Sequence, residues 1–153
     1  MVKNNLSFEI PIYTVANSVL PKPISGNYDY WLPLLTFFLE KADSIEIHCW
    51  NEEVNTIEEL SSLLSDALTI RFDGDLSIFK GMKTPALTDY ILFHHLNKKG
   101  EFKWFTVNLL NELTLMFHSG HWGTEFFVPA VTHKEIAFIK SVSPMGTTFY
   151  EFQ

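Results

Sequence analysis

The chain has 153 residues, a net charge of −7 and 46% hydrophobic content with 14 phenylalanines. That composition excludes a disordered chain and requires an aromatic-rich core, at a length close to the roughly 100 to 150 residues of a typical single domain. No apolar run reaches the roughly 18 to 20 residues of a membrane span, and Met1–Ile10 lacks an apolar h-region, so a cytoplasmic protein without a membrane partner is expected. The single cysteine, Cys49, cannot form an internal disulfide, in keeping with a reducing compartment.

In chain order, Leu6–Val15 alternates Phe8, Ile10 and Ile12 on one face, and Pro11, which lacks a ladder donor, predicts an edge strand. Ser18–Asn27, with Pro21, Pro23 and Gly26, reads as a loop. Tyr28–Ala42 is apolar nearly all round and predicts a buried helix whose first turn accommodates Pro33. Ser44–Trp50 sets Ile45, Ile47 and Cys49 against Glu46, His48 and Trp50, the pattern of a half-covered strand. Thr56-Ile-Glu-Glu59 reads as a capping box that opens a helix with Ile57, Leu60, Leu63 and Leu64 on its apolar stripe. Leu68–Phe72 and Asp75–Phe79 predict a hairpin around Asp73-Gly74, a dipeptide suited to a type I′ turn with Gly74 at positive φ. Thr84-Pro85 opens a third helix that Lys98-Lys99-Gly100 closes, and this span includes His94 and His95.

After Gly100 the hydrophobic period changes from 3.6 to 2. Phe102–Leu109, Leu113–His118, Thr124–Val131, Glu135–Val142 and Thr147–Phe152 are strand-like runs separated by short turns. The fourth has two readings: Thr132 and Glu135 suit a helix cap, whereas the alternation of Ile136, Phe138 and Val142 favours a strand. The stretch Leu113–Val128 is predicted as a hairpin with Leu113, Leu115 and Phe117 on one face and His118, His121 and Trp122 at or near its tip. The expected fold is an α+β single domain over residues 1–153, a C-terminal antiparallel β-meander covered by about three helices from the N-terminal two thirds.

Charge location narrows the function. Residues 40–75 hold ten acids against Lys41 and Arg71, a net of −8, while the rest of the chain sums to +1. Such a segment suits a basic protein partner, although a solubilising face has the same composition. A phosphate backbone needs a basic stripe, and this chain has one arginine, so nucleic acid is excluded as a partner.

Chemical motifs are scarce. His118-x-x-His121 supplies two imidazoles where catalytic zinc usually takes three protein ligands, and neither an H-E-x-x-H helix nor a C-x-x-C pair is present, so no metal or cofactor is expected. Cys49 and His48 point to opposite faces of one strand and cannot form a dyad with each other. There is no G-x-S-x-G, Walker A or G-x-G-x-x-G sequence. Trp122 reads as a lid over a sheet edge, and Glu52 and Glu53 as solvated turn residues or an acid and base at the end of a strand.

Two functions follow. One is a protein-binding module that meets a basic partner through Glu46, Glu52 and Glu53, with an exposed Trp50 as aromatic anchor. The other is a small-molecule binder or enzyme whose aromatic cavity has His118, His121 and Trp122 at its mouth. In general character, being small, acidic, aromatic and without catalytic signatures, the chain resembles the immunity proteins that bacteria keep against basic secreted toxins. That likeness implies an inhibitory binding role and assigns no residues.

Overall fold

The computed structural model describes residues 3–63, 66 and 68–153. Ten strands and four helices are formed among them, in the order β1 (Asn4–Glu9), β2 (Ile12–Thr14), β3 (Pro21–Pro23), α1 (Trp31–Leu39), β4 (Ser44–Trp50), α2 (Val54–Leu63), β5 (Thr69–Asp73), β6 (Leu76–Met82), α3 (Pro85–Phe93), β7 (Thr106–Asn111), β8 (Thr114–Gly120), β9 (Glu125–Val131), α4 (His133–Val142) and β10 (Thr148–Phe152). Eight strands form one antiparallel sheet in the order β10-β1-β9-β8-β7-β4-β6-β5, and β2 and β3 form a separate two-stranded ribbon. The α+β class stands. The C-terminal meander β7-β8-β9 is only the middle of this sheet, which also takes β1, β4, β5 and β6 from the preceding part of the chain.

The helices pack over one face. From β4 that face receives Ile45, Ile47 and Cys49, all fully buried, and from β8 it receives Phe117, which stacks on Phe38 of α1 at 4.9 Å. Trp31 of α1 donates from Nε1 to the Ile91 carbonyl of α3 at 2.9 Å, and Phe37 stacks on Phe138 of α4 at 4.5 Å. Leu60 of α2 is fully buried in the same core, and Ile57 packs against it. Leu64, the last position expected on that stripe, lies outside the described residues.

Several predicted elements are corrected. Glu135–Val142 is helical: Thr132 accepts from Glu135 N while Glu135 Oε1 accepts from Thr132 N, a reciprocal cap that outweighs the period-2 pattern, and Ile136 and Ile139 are buried one turn apart. β1 is not an edge strand, because it pairs with β9 on one side and β10 on the other; the chain leaves the sheet before Pro11, and Ile12–Thr14 pair with Pro21–Pro23 instead. α2 begins at Val54, so Thr56 lies inside the helix and does not cap it. The α3 span stops at Phe93, with Thr84 as its N-cap and Pro85 in its first turn as expected. His94 and His95 lie beyond its end, because the Asn97 side chain accepts from Lys99 N and Glu101 N and holds a loop where a helix was expected.

Two turns differ in detail. The β5–β6 hairpin closes at Asp73 and Leu76, with Gly74 at φ +59 as the only positive residue of the pair between them; this is the signature of a II′ turn, not I′. Leu113 is not on the strand face. Glu112 and Leu113 both adopt positive φ, 48° and 69°, between the closing pair Asn111 and Thr114, and Asp43 Oδ2 accepts from Glu112 N at 2.9 Å.

Candidate functional site

The face opposite the helices carries a polar row set by strand register. Glu46 of β4, Asn108 of β7, His118 of β8 and Phe127 of β9 are successive cross-strand partners. His118 Nδ1 lies 2.6 Å from Asn108 Oδ1, Asn108 Nδ2 donates to Glu46 Oε1 at 3.3 Å, and His48 Nε2 meets the same oxygen at 2.6 Å. The hydrogen bond to Asn108 places the His118 proton on Nδ1 and leaves Nε2 with a lone pair. The ring lies along the strand over Gly120, where a Cβ would come 2.8 Å from Nε2.

Electrostatics fix the charge states of this row. Burial favours protonation of Glu46, but hydrogen bonds from His48 and Asn108, with the charges of His48 and Arg71, outweigh it and hold the carboxyl below its ordinary value. Burial, and then the neighbouring His48, lower the His118 imidazole, so it is neutral at pH 7. Two residues expected at a site, Glu46 and His118, are thus brought into one network by Asn108. Its components are a carboxylate and two imidazoles without a nucleophile: among the described residues no hydroxyl or thiol is hydrogen-bonded to His118 Nε2. Cys49 lies on the other face, where burial pushes its thiol up and leaves it unreactive.

A second group of expected residues meets at one end of the sheet. Trp122 Nε1 donates to Glu53 Oε2 at 3.1 Å, and Glu53 Oε1 accepts from Trp50 N at 2.8 Å. Phe105 sits between the indoles, with its ring 4.9 Å from each. Burial raises the Glu53 carboxyl, against the lowering effect of these two hydrogen bonds. Trp50 is half-buried, not the exposed anchor expected from the sequence, and Trp122 is only 7% exposed. His121, Trp122 and Gly123 all have positive φ, 50°, 54° and 77°; two non-glycine residues in that region mark stored strain at the hairpin tip.

His118 and His121 have different partners. His121 Nδ1 lies 3.4 Å from Thr124 Oγ1 and 3.9 Å from Glu125 Oε2, whereas His118 is bonded to Asn108. Among the described residues no three His, Cys, Asp or Glu side chains are arranged to hold a metal ion. A cavity of about 320 Å³ does adjoin Trp122, but neither histidine lines it.

The acidic segment divides once folded. Glu46 and Glu53 are engaged as above, and Glu59 accepts from Tyr90 Oη and from Lys103 Nζ. Glu52, Asp73 and Asp75 remain exposed and are drawn together, because Asn51 N donates to the Asp75 carbonyl at 2.8 Å and Asn51 Nδ2 to the Gly74 carbonyl at 3.3 Å. Those bonds hold the turn after β4 against the β5–β6 turn. Phe72, 70% exposed, precedes Asp73 on β5. The sequence reading missed Asn108, Phe105 and Phe72; polar Thr106 and Asn108 at alternate positions were the available signal, but which strand they face is decided by register.

Comparison with known proteins yields no relative: no family model, no curated protein and no solved structure matches the chain. Among the described residues no helix is long and apolar enough to cross a membrane.

Proposed function

We propose that the protein is a binding module for a basic protein, and that its contact surface is the acidic corner formed by Glu52, Asp73 and Asp75 with Phe72 beside it. The observation that supports this reading is the pair of turns tied together through Asn51, which brings the exposed Glu52, Asp73 and Asp75 to one corner of the sheet, where the exposed Phe72 precedes Asp73 on β5. A rigid acidic patch accelerates encounter with a cationic surface, and an aromatic residue at its edge supplies the apolar contact that charge alone does not. Glu46, Glu53 and Trp50 are left out of the contact, since both carboxylates are already hydrogen-bonded within the chain and Trp50 is half-buried with its ring against Phe105. An inhibitory role of the immunity kind is one form of this activity.

The test is affinity capture from the source cells with the wild-type chain and with a Glu52→Lys, Asp73→Lys, Asp75→Lys variant as control. A basic protein retained by the first and lost by the second, then shown to bind as a purified pair, is the expected result. A purified partner that binds the reversed variant equally well removes the acidic corner from the interface.

A further inference from the structure

The cavity beside Trp122 lies under the β2–β3 ribbon, and its chemistry differs from the rest of this acidic molecule. Tyr13, Tyr28, Phe102 and Trp122 provide aromatic walls, and Lys22 and Lys99 provide two ammonium groups. Among the described residues neither lysine lies within ion-pair distance of a carboxylate. Glu101 is the one acid in the lining, and its Oε1 accepts from Asn97 Nδ2 at 3.3 Å. Gly26 and Gly100, at φ +82 and +77, line the same space with nothing within 4 Å of where a Cβ would stand, which leaves the entrance open.

We propose that this cavity binds a small planar carboxylate, with its ring against the aromatic walls and its charge at Lys22 and Lys99. Size argues for a small molecule, since about 320 Å³ is at the lower end of ligand sites, which run from roughly 300 to 1,000 Å³. Charge argues for an anion, because two lining lysines outnumber the one lining acid. Flat aromatic walls select a planar body over a branched one. This site is separate from the acidic corner, and its occupation does not depend on the protein-binding reading.

The experiment is an NMR titration of the ¹⁵N-labelled protein with 1-naphthoate and, as the uncharged counterpart, 1-naphthamide. The Trp122 indole N–H, assigned with a Trp122→Phe variant, reports on the cavity wall. Saturable shifts of Trp122, Gly26 and Gly100 are expected with naphthoate, and binding about tenfold weaker with naphthamide, since two partly solvated ion pairs together approach a factor of that order. The Lys22→Ala, Lys99→Ala double variant, with an unchanged melting temperature, loses the same factor; Lys99→Gln alone, on an exposed turn, loses part of it. Glu101→Gln tightens carboxylate binding by removing the opposing charge. Absence of a saturable shift at Trp122, equal affinity for acid and amide, or undiminished binding in the folded lysine variants overturns the proposal.

Discussion

Gly123→Ala should be among the most damaging single-methyl additions in the molecule. Gly123 ends the left-handed run at the β8–β9 tip, its φ is +77, and its carbonyl accepts from the buried Tyr30 hydroxyl at 2.5 Å. A Cβ there stands 2.9 Å from Phe102 Cε2 and 3.0 Å from Cδ2 and Cζ. Phe102 has little room to retreat, because its ring centroid is 4.7 Å from that of Trp31, 5.4 Å from Tyr28 and 5.7 Å from Trp104. The left-handed conformation costs alanine about 1 kcal/mol and overpacking a rigid aromatic cluster about 2 kcal/mol more, for a total of about 3 kcal/mol. At roughly 2 to 4 °C per kcal/mol for a chain of this length, the melting temperature should fall by about 6 to 12 °C. Gly26→Ala is the control: φ is +82 but nothing stands within 4 Å of its Cβ, so only the conformational part applies. Urea denaturation of both variants separates the two contributions. If Gly123→Ala is no more destabilising than Gly26→Ala, the packing of Phe102 against the tip has been misjudged.

Other outcomes follow from the same structure. Thr132→Ala removes one half of the α4 capping box and should cost about 1 kcal/mol in urea denaturation, with a matching loss of helical signal. Burial lowers the His95 imidazole to about 4 from its ordinary 6.5. Because the folded value lies below the unfolded one, the stability that neutral His95 contributes is present above pH 6.5 and is lost as pH falls towards about 4, and His95→Leu should flatten that part of the stability profile. Gly120→Ala meets only the far end of the His118 ring, at Nε2, so it should displace the imidazole from Asn108 at a cost below about 1 kcal/mol, with the His118 titration seen by NMR moving up towards the ordinary range.

Local patterns carried much of the fold. The alternation in Ser44–Trp50, the Pro85 helix start and the positive φ of Gly74 are each decided within a few residues and were legible in the sequence. Glu135–Val142 was misread because Ile136, Phe138 and Val142 fit a period of 2 while Ile136 and Ile139, one helical turn apart, fit 3.6, and the Thr132–Glu135 cap decides between them. The turn at Glu112-Leu113 has no glycine to announce it; its left-handed pair is held by the hydrogen bond that Glu112 N donates to Asp43, a residue 69 positions away. The sites show the same division. Trp122, Glu53, Glu46 and His118 could be named as polar or aromatic residues on or next to strands, but their assembly into two separate groups depends on the register of β4, β7 and β8, which no local pattern records. The acidic segment was visible as a count, whereas the diversion of Glu46, Glu53 and Glu59 to internal partners was not.

The association rate between this chain and a basic protein recovered in the capture experiment, measured over a series of salt concentrations, tests the acidic-corner account most directly. The account predicts a rate that falls steeply as salt screens the corner, and a Glu52→Lys, Asp73→Lys, Asp75→Lys variant that associates slowly at every salt concentration while its melting temperature stays close to wild type. A rate independent of salt, unchanged in the folded triple variant, would contradict it.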